Sequence, residues 1–384
     1  SKLSSLIIIV VVIILVGYVA IFSTTVFGDS HQIQRLSAEV IAARMQVEIL
    51  KKSLVATEQE LRISRQKKPK LLESEQNTNL QIVNVPQVAI GPQSVRHGVI
   101  ILGMHRSGTS LVGGLINKMG LKTGGPLIEA AEDNAKGFFE RIDVVLQNDY
   151  LMKRQGVHYA FQTYKYDTLI GLKDILNDDG SFFKEGKRGL KFLNDPKNYP
   201  WMLKDPRLCI TFRTWLPLLN FIPAILFTYR HPLDVALSLH KREFERFEIP
   251  RGLRIWYVYN RRAVQQSEDL CRVVTSHHLV MVQPQVEFDR IYDELRYCGV
   301  DVPHKLTLSD VASFIDIKLQ HGQSTLKDTV CEQDTSNINP PDSWKPSNDN
   351  QLKLYREVMR VYCALENRSA FRKGFAWDES IQDG

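Results

Sequence analysis

The stretch Val99-Ile-Ile-Leu-Gly-Met-His-Arg-Ser-Gly-Thr-Ser-Leu-Val-Gly-Gly-Leu-Ile116 limits what this chain can fold into more than any other. Its first four residues are apolar and mostly β-branched, which reads as a strand buried in a parallel sheet. The chain then turns through Gly103–Gly108 and enters an apolar run, Leu111, Leu115, Ile116 and Met119, with helical spacing. Strand, glycine-bounded loop and helix N-terminus make a phosphate cradle, because successive backbone N–H groups and the helix dipole point at one anion. The G-x-x-x-x-G spacing is that of a nucleotide P-loop, which continues with Lys and then Ser or Thr. Here Gly108 is followed by Thr109 and Ser110, so that lysine is missing and the loop's fixed cation is Arg106. The loop suits an anion, and the missing lysine argues against ordinary nucleoside triphosphate chemistry.

Further short apolar segments alternate with helical patterns: Trp201–Leu203, Ala224–Thr228 and Leu279–Val282. That alternation predicts an α/β, P-loop-like three-layer fold with a mostly parallel central sheet, over residues 96–384, with its ligand beyond the strand carboxyl ends. Two motifs should join the loop at that edge. In Leu203-Lys-Asp-Pro-Arg-Leu208 a strand ends on two charges, Lys204 and Asp205. In Phe227-Thr-Tyr-Arg-His-Pro-Leu-Asp-Val-Ala-Leu-Ser238, Arg230 ends a strand and Pro232 suits the first turn of a helix, about two turns before Ser238. A guanidinium and a hydroxyl on neighbouring elements suit a second phosphate. A helix is expected over Val311–Gln320, and another carries Tyr362, Cys363 and Leu365.

Taken in this order, the three motifs resemble the sulfotransferase family, whose donor is 3′-phosphoadenosine 5′-phosphosulfate (PAPS). The resemblance covers roughly Gly98–Phe314 and is most specific in Gly-Met-His-Arg-Ser-Gly-Thr-Ser and Arg230…Ser238. It implies that His105, Arg106, Ser107, Gly108, Thr109 and Ser110 surround the 5′-phosphosulfate end, and that Arg230 and Ser238 hold the 3′-phosphate. It also accounts for the missing lysine, since such a donor has no γ-phosphate and needs no Mg²⁺ or other metal. Lys204 matches the family's strand lysine and would stabilise the leaving oxygen. Cytosolic members carry a histidine after that lysine; Asp205 stands there instead. Golgi members often use a glutamate after the loop helix, and Glu140 in Lys136-Gly-Phe-Phe-Glu-Arg141 occupies a comparable place. Glu140, Asp205 and His105 therefore all stand as candidate bases. Phe371-Arg-Lys-Gly-Phe375 is a loose counterpart of the family's late loop over the nucleotide.

The N-terminal quarter has another character. Residues 1–5 read as a short cytoplasmic tail and 6–27 as an uncleaved transmembrane signal anchor, long enough for the ~20 residues that span a bilayer. Ile33, Leu36, Val40, Ala43, Val47, Leu50, Leu54, Thr57, Leu61 and Ser64 alternate steps of three and four, which predicts a coiled-coil stem over 30–64 and a homodimer. Residues 65–95 read as a flexible linker. Anchor, stem, linker and domain resemble the Golgi carbohydrate sulfotransferases, which implies a single-pass type II Golgi membrane protein, its catalytic domain luminal, sulfating a hydroxyl of a glycan. A kinase using ATP and a non-catalytic membrane-tethered scaffold are the competing readings. The net charge of +6 comes without clustered basic and aromatic residues, which excludes nucleic acid as the expected partner. Five cysteines leave at least one unpaired, and Cys209, in an apolar segment, is the expected free thiol. The remaining pairings are open. Asn367-Arg-Ser369 is an N-glycosylation acceptor if luminal.

Overall fold

A computed structural model describes residues 95–384, apart from 131–133, 135, 179–182, 244–246, 316–330 and 332–334. The expected tail, anchor, stem and linker lie outside the described residues. Among the described residues no helix is long and apolar enough to cross a membrane. Arg96–Gly384 forms one compact unit.

Four parallel strands form the sheet: β1 (Gly98–Leu102), β2 (Trp201–Lys204), β3 (Ala224–Tyr229) and β4 (Arg272–Ser276), in the order β2-β1-β3-β4. Ile100 is level with Leu203 on one side and Ile225 on the other; β2 ends level with Ile101, and β3 runs two residues past the level of Leu102. Because strand side chains alternate faces, Val99, Ile101, Met202, Leu226 and Val273 enter one core, and Ile100, Leu102, Leu203, Ile225 and Phe227 enter the other. Against the first face pack α1 (Thr109–Lys118), α9 (Pro284–Tyr297) and α10 (Leu308–Phe314). The second face is covered by α2 (Ile142–Arg154), α5 (Leu208–Trp215), α6 (Pro232–Glu243), α7 (Ile249–Gln266) and α11 (Asp349–Glu366). Two smaller helices, α3 (Thr168–Leu176) and α4 (Lys184–Asn194), flank α5 and α2. This is the three-layer arrangement that strands continuous in apolar residues require, since both faces must be covered.

Two expected elements differ. Leu279–Val282 is not a strand but part of α8 (His277–Val282), whose N-cap Ser276 accepts from the Leu279 amide at 3.3 Å. The fourth strand lies just before it, in Arg272-Val-Val-Thr-Ser276, and its polar ends suit the edge of the sheet. A run of four apolar residues does not distinguish strand from helix by period. The second difference is a boundary. Helix α10 starts at Leu308, ahead of Val311, because Thr307 and Asp310 form a capping box there; residues 316–320 lie outside the described residues.

Cys271 is bonded to Cys298 and Cys331 to Cys363, and Cys209 is free and buried, as its apolar surroundings predict. The Cys209 Sγ accepts from the Gly103 amide at 3.2 Å, and burial pushes its thiol up to about 12. It packs under the loop as an inert support.

Candidate functional site

The site begins where β1 ends. Arg106 and Gly108 both take left-handed backbone, at φ 67° and 82°, and the turn closes with the Ser107 amide on the Met104 carbonyl at 3.2 Å. Gly108 is required twice over: a Cβ there would also stand 2.6 Å from the His277 ring. Gly108 is the N-cap of α1 and offers no side chain, so the helix's first amides lack a side-chain cap. An anion is the natural partner for such an end.

β3 ends beside this loop. The Arg106 Nε donates to the Ser238 Oγ at 2.9 Å, and an Arg230 Nη1 lies 3.5 Å from the Arg106 carbonyl. The structure therefore brings Arg106, Arg230 and Ser238 together from two motifs more than a hundred residues apart. Arg230 Nε sits 3.6 Å from the Asp234 carboxylate without a hydrogen bond. Ser107 is fully buried and its Oγ has no partner. Thirteen buried side-chain atoms among the described residues lack one, and six of them belong to His105, Ser107, Thr228, Arg230 and His231, around the ends of β1 and β3. Unpaired buried polar atoms are costly, so their concentration at one edge marks a place where a polar ligand completes the pairing.

β2 ends differently. The Lys204 Nζ is buried and donates to the Glu140 carboxylate at 2.5 Å, the Ser110 Oγ at 3.1 Å and the Phe138 carbonyl at 3.2 Å. Phe139, immediately before Glu140, holds φ at 57°, a strained value for an aromatic residue. Arg141 then locks the segment through paired bonds to Asp143 at 2.7 and 3.1 Å, with its guanidinium over Phe192. Glu140 is thus delivered from a bent segment fixed on both sides. Its burial raises the carboxyl above the ordinary range, against the pull of Lys204.

Asp205 is fully buried, and both of its oxygens already accept hydrogen bonds. Its Oδ1 accepts from the Arg207 amide at 3.0 Å and Nη1 at 2.9 Å, and its Oδ2 from Asn148 at 2.8 Å. Asn148 is held in turn by Thr211 and Trp215. Of the remaining candidates, Thr109 is buried at the first turn of α1. The Ser110 hydroxyl is shared between Lys204 and Asn134, the latter at 3.0 Å. His105 packs at 5.1 Å from the Tyr159 ring, and burial followed by Arg207 holds its imidazole well below its usual range. Phe371-Arg-Lys-Gly-Phe375 lies elsewhere: Phe371 packs on Phe227 under the guanidinium of Arg272, the residue that opens β4. Asn134, His277, Asn148 and Arg207 were not expected from the sequence. Only Arg207 carries a local signal, as the third charge in Lys-Asp-Pro-Arg.

No protein-family model matches this chain, and no curated protein matches it in sequence. Among solved structures, the chain is similar to the sulfotransferase domain of an olefin synthase from Synechococcus PCC 7002, at 12% identity over 68% of this chain and 94% of that one, with a TM-score of 0.34. A score that low carries no inference about activity.

Proposed function

We propose that this protein is a membrane-anchored sulfotransferase that moves a sulfuryl group from PAPS to an acceptor hydroxyl, on a glycan if its organisation follows the Golgi enzymes it resembles. The supporting observation is the cluster of unpartnered buried polar atoms beside an uncapped helix end, set against a fully paired Glu140–Lys204 couple. Ser107, Arg230 and the first amides of α1 fit the two phosphate-bearing ends of such a nucleotide. Arg106 links them through Ser238.

When bound, the donor supplies a sulfur whose bond to the 5′-phosphate oxygen breaks as the acceptor oxygen bonds to it, the electron pair leaving with the bisphosphate. The protein must take the acceptor's proton and neutralise the leaving oxygen. Glu140 suits the first task better than Asp205, whose oxygens are already occupied. Protonating Glu140 removes the negative charge that holds Lys204, which leaves that ammonium for the leaving side.

Two disulfides beside a buried free thiol suit an oxidising compartment, which supports a luminal placement of this unit. Asn367 is exposed where α11 ends, as a glycosylated asparagine must be. The signal anchor over 6–27, the dimeric stem over 30–64 and a Golgi location belong to the same reading.

Calorimetry on the full chain tests the donor. 3′-Phosphoadenosine 5′-phosphate should bind without Mg²⁺ and at least about tenfold, or about 1.4 kcal/mol, more tightly than ATP. Binding of ATP that depends on Mg²⁺, with none of the bisphosphate, would overturn the proposal in favour of a kinase.

A further inference from the structure

Residues 376–383 form a strap fastened to two helices. Arg360 of α11 donates to the Ala376 carbonyl at 2.7 Å. On α7 the Tyr257 hydroxyl accepts from the Asp378 amide at 2.6 Å, and Arg261 donates to the Asp378 carbonyl at 3.2 Å. Beyond that point Ile381 is buried, and Asp383 is only 2% exposed. A carboxylate taken that far from water needs hydrogen-bond donors around it.

One turn supplies those donors. The Asp383 Oδ2 accepts from the Thr163 amide at 3.0 Å and the Thr163 Oγ1 at 2.7 Å, and its Oδ1 accepts from the Tyr164 amide at 3.2 Å. The Asp383 carbonyl accepts from the Gln162 amide at 3.3 Å. To the same stretch α7 brings donors: Tyr259 to the Tyr159 carbonyl at 2.6 Å, Arg251 to the Ala160 carbonyl at 3.0 Å, and Arg262 to the Tyr164 and Tyr166 carbonyls at 3.1 and 2.7 Å. Its carbonyls are thus held by α7, and the amides of residues 162–164 by Asp383. Thr163 is fully buried, so loss of the carboxylate would strand its amide and hydroxyl away from water.

The stretch that is held this way carries Tyr159. The Tyr159 ring centre lies 5.1 Å from the His105 ring and 5.4 Å from the Arg207 guanidinium, which an aromatic face attracts. Arg207 also donates to Asp205 at 2.9 Å and to Asp149 at 2.7 Å, and it stands 3.9 Å from the Glu140 carboxylate. Glu140 therefore faces three charged groups. Burial raises its carboxyl, Lys204 and Arg207 pull it down, and Asp205 pushes it up.

We propose that Asp383 is a positioning residue for Glu140: by fixing the turn at 162–164 it keeps the Tyr159 ring against Arg207, and Arg207 beside the Glu140 carboxylate. The role rests on the sulfuryl-transfer reading, in which Glu140 takes the acceptor's proton. Asp383 itself touches none of the charged groups at the end of β2. It acts through the turn, the ring and the guanidinium in sequence. Release of the strap lets Tyr159 leave Arg207, the guanidinium turns toward Asp149 and solvent, and Glu140 loses one of the two cations that keep it ionised.

Infrared difference spectra of the full chain across a pH titration test this without donor or acceptor. The protonated-carboxyl band that is missing in Glu140→Gln reports Glu140 and gives its midpoint. In Asp383→Ala that midpoint should rise by about one pH unit, since a cation within ~4–6 Å lowers a carboxyl by ~1–3. Tyr159→Leu keeps the bonds of Asp383 but removes the ring, and should give the same rise. It serves where Asp383→Ala does not fold. An unchanged midpoint in Asp383→Ala, or in Tyr159→Leu where only that variant folds, would overturn the proposal, because a purely structural Asp383 alters unfolding and leaves the titration of Glu140 alone. The sulfuryl-transfer reading fails separately, if the full chain does not bind 3′-phosphoadenosine 5′-phosphate.

Discussion

The carboxyl ends of β2 and of β1–β3 lie side by side in one sheet, yet they are opposite in electrostatic state. At the end of β2, Lys204, Glu140, Asp205, Arg207 and Asn148 satisfy one another almost completely. At the ends of β1 and β3, Ser107, Thr228, Arg230 and His231 carry buried polar atoms with no hydrogen-bond partner. The first edge is finished before any ligand arrives, which suits the proton-handling role proposed for Glu140. On the proposed reading, the second is completed by a bound anion. Substitutions at the two edges should therefore fail in different ways.

The largest effect is expected from Lys204→Met. It leaves the Glu140 carboxylate buried without its cation, and breaking such a pair costs about 3–5 kcal/mol of stability. Urea unfolding of the full chain reads it. Adding Glu140→Gln to the same chain should restore much of that loss, because no stranded charge remains, while turnover stays abolished. A double variant as unstable as Lys204→Met would show that the pair is not the source.

Next comes Glu140→Gln alone. The amide can still accept from Lys204, so the fold should hold, while turnover falls by roughly 10²–10⁴ as the proton acceptor is lost. In the unsubstituted chain kcat/KM should decline on the acid side with an apparent pKa above that of an ordinary carboxylate, since burial raises Glu140. Activity is present above that value and disappears as the group is protonated. Near-normal turnover in Glu140→Gln would remove Glu140 as the base and bring His105 forward.

The two edges also differ in how far the sequence reveals them. β1, β2 and β3 are legible because each is an unbroken apolar run ending in glycine or charge, and the loop is legible from its two glycines and absent lysine. Lys204 and Glu140 can each be read as a charge at the end of a segment. Their pairing cannot, because 64 residues separate them and the bend at Phe139 that delivers Glu140 has no local signature. β4 hides behind the more apolar Leu279–Val282, since an edge strand is free to begin with arginine and end with serine. Asn134, Asn148 and His277 reach the site from outside its motifs, so only the folded chain shows them there.

At the open edge the expected signature is reversed. Ser107→Ala removes a hydroxyl that has no partner, so stability should change by no more than about 0.5 kcal/mol and could rise as a desolvation cost disappears. Affinity for 3′-phosphoadenosine 5′-phosphate should nevertheless fall about tenfold, the size of one hydrogen bond to a charged group. Equal affinities in calorimetry would mean that Ser107 Oγ faces no phosphate.

The smallest effect isolates His231. Both of its ring nitrogens are buried without partners, and burial, then Arg230, pushes its pKa down to about 3. The unfolded chain titrates this group near 6.5. Between those values the unfolded state binds the extra proton, so stability is complete above about pH 6.5 and is lost as the pH falls. From pH 7 to pH 6 the loss attributable to one such histidine is about 0.7 kcal/mol. His277, also pushed down to about 3, adds a similar share. His105, also held well below its usual range by burial, adds another. His231→Phe keeps the edge-on contact with Tyr362, whose ring centre is 4.9 Å away, and should flatten the dependence of the urea midpoint on pH by about a third. A slope identical to that of the parent chain would mean that His231 already meets a proton donor or acceptor, and that the β3 end is as fully paired as the end of β2.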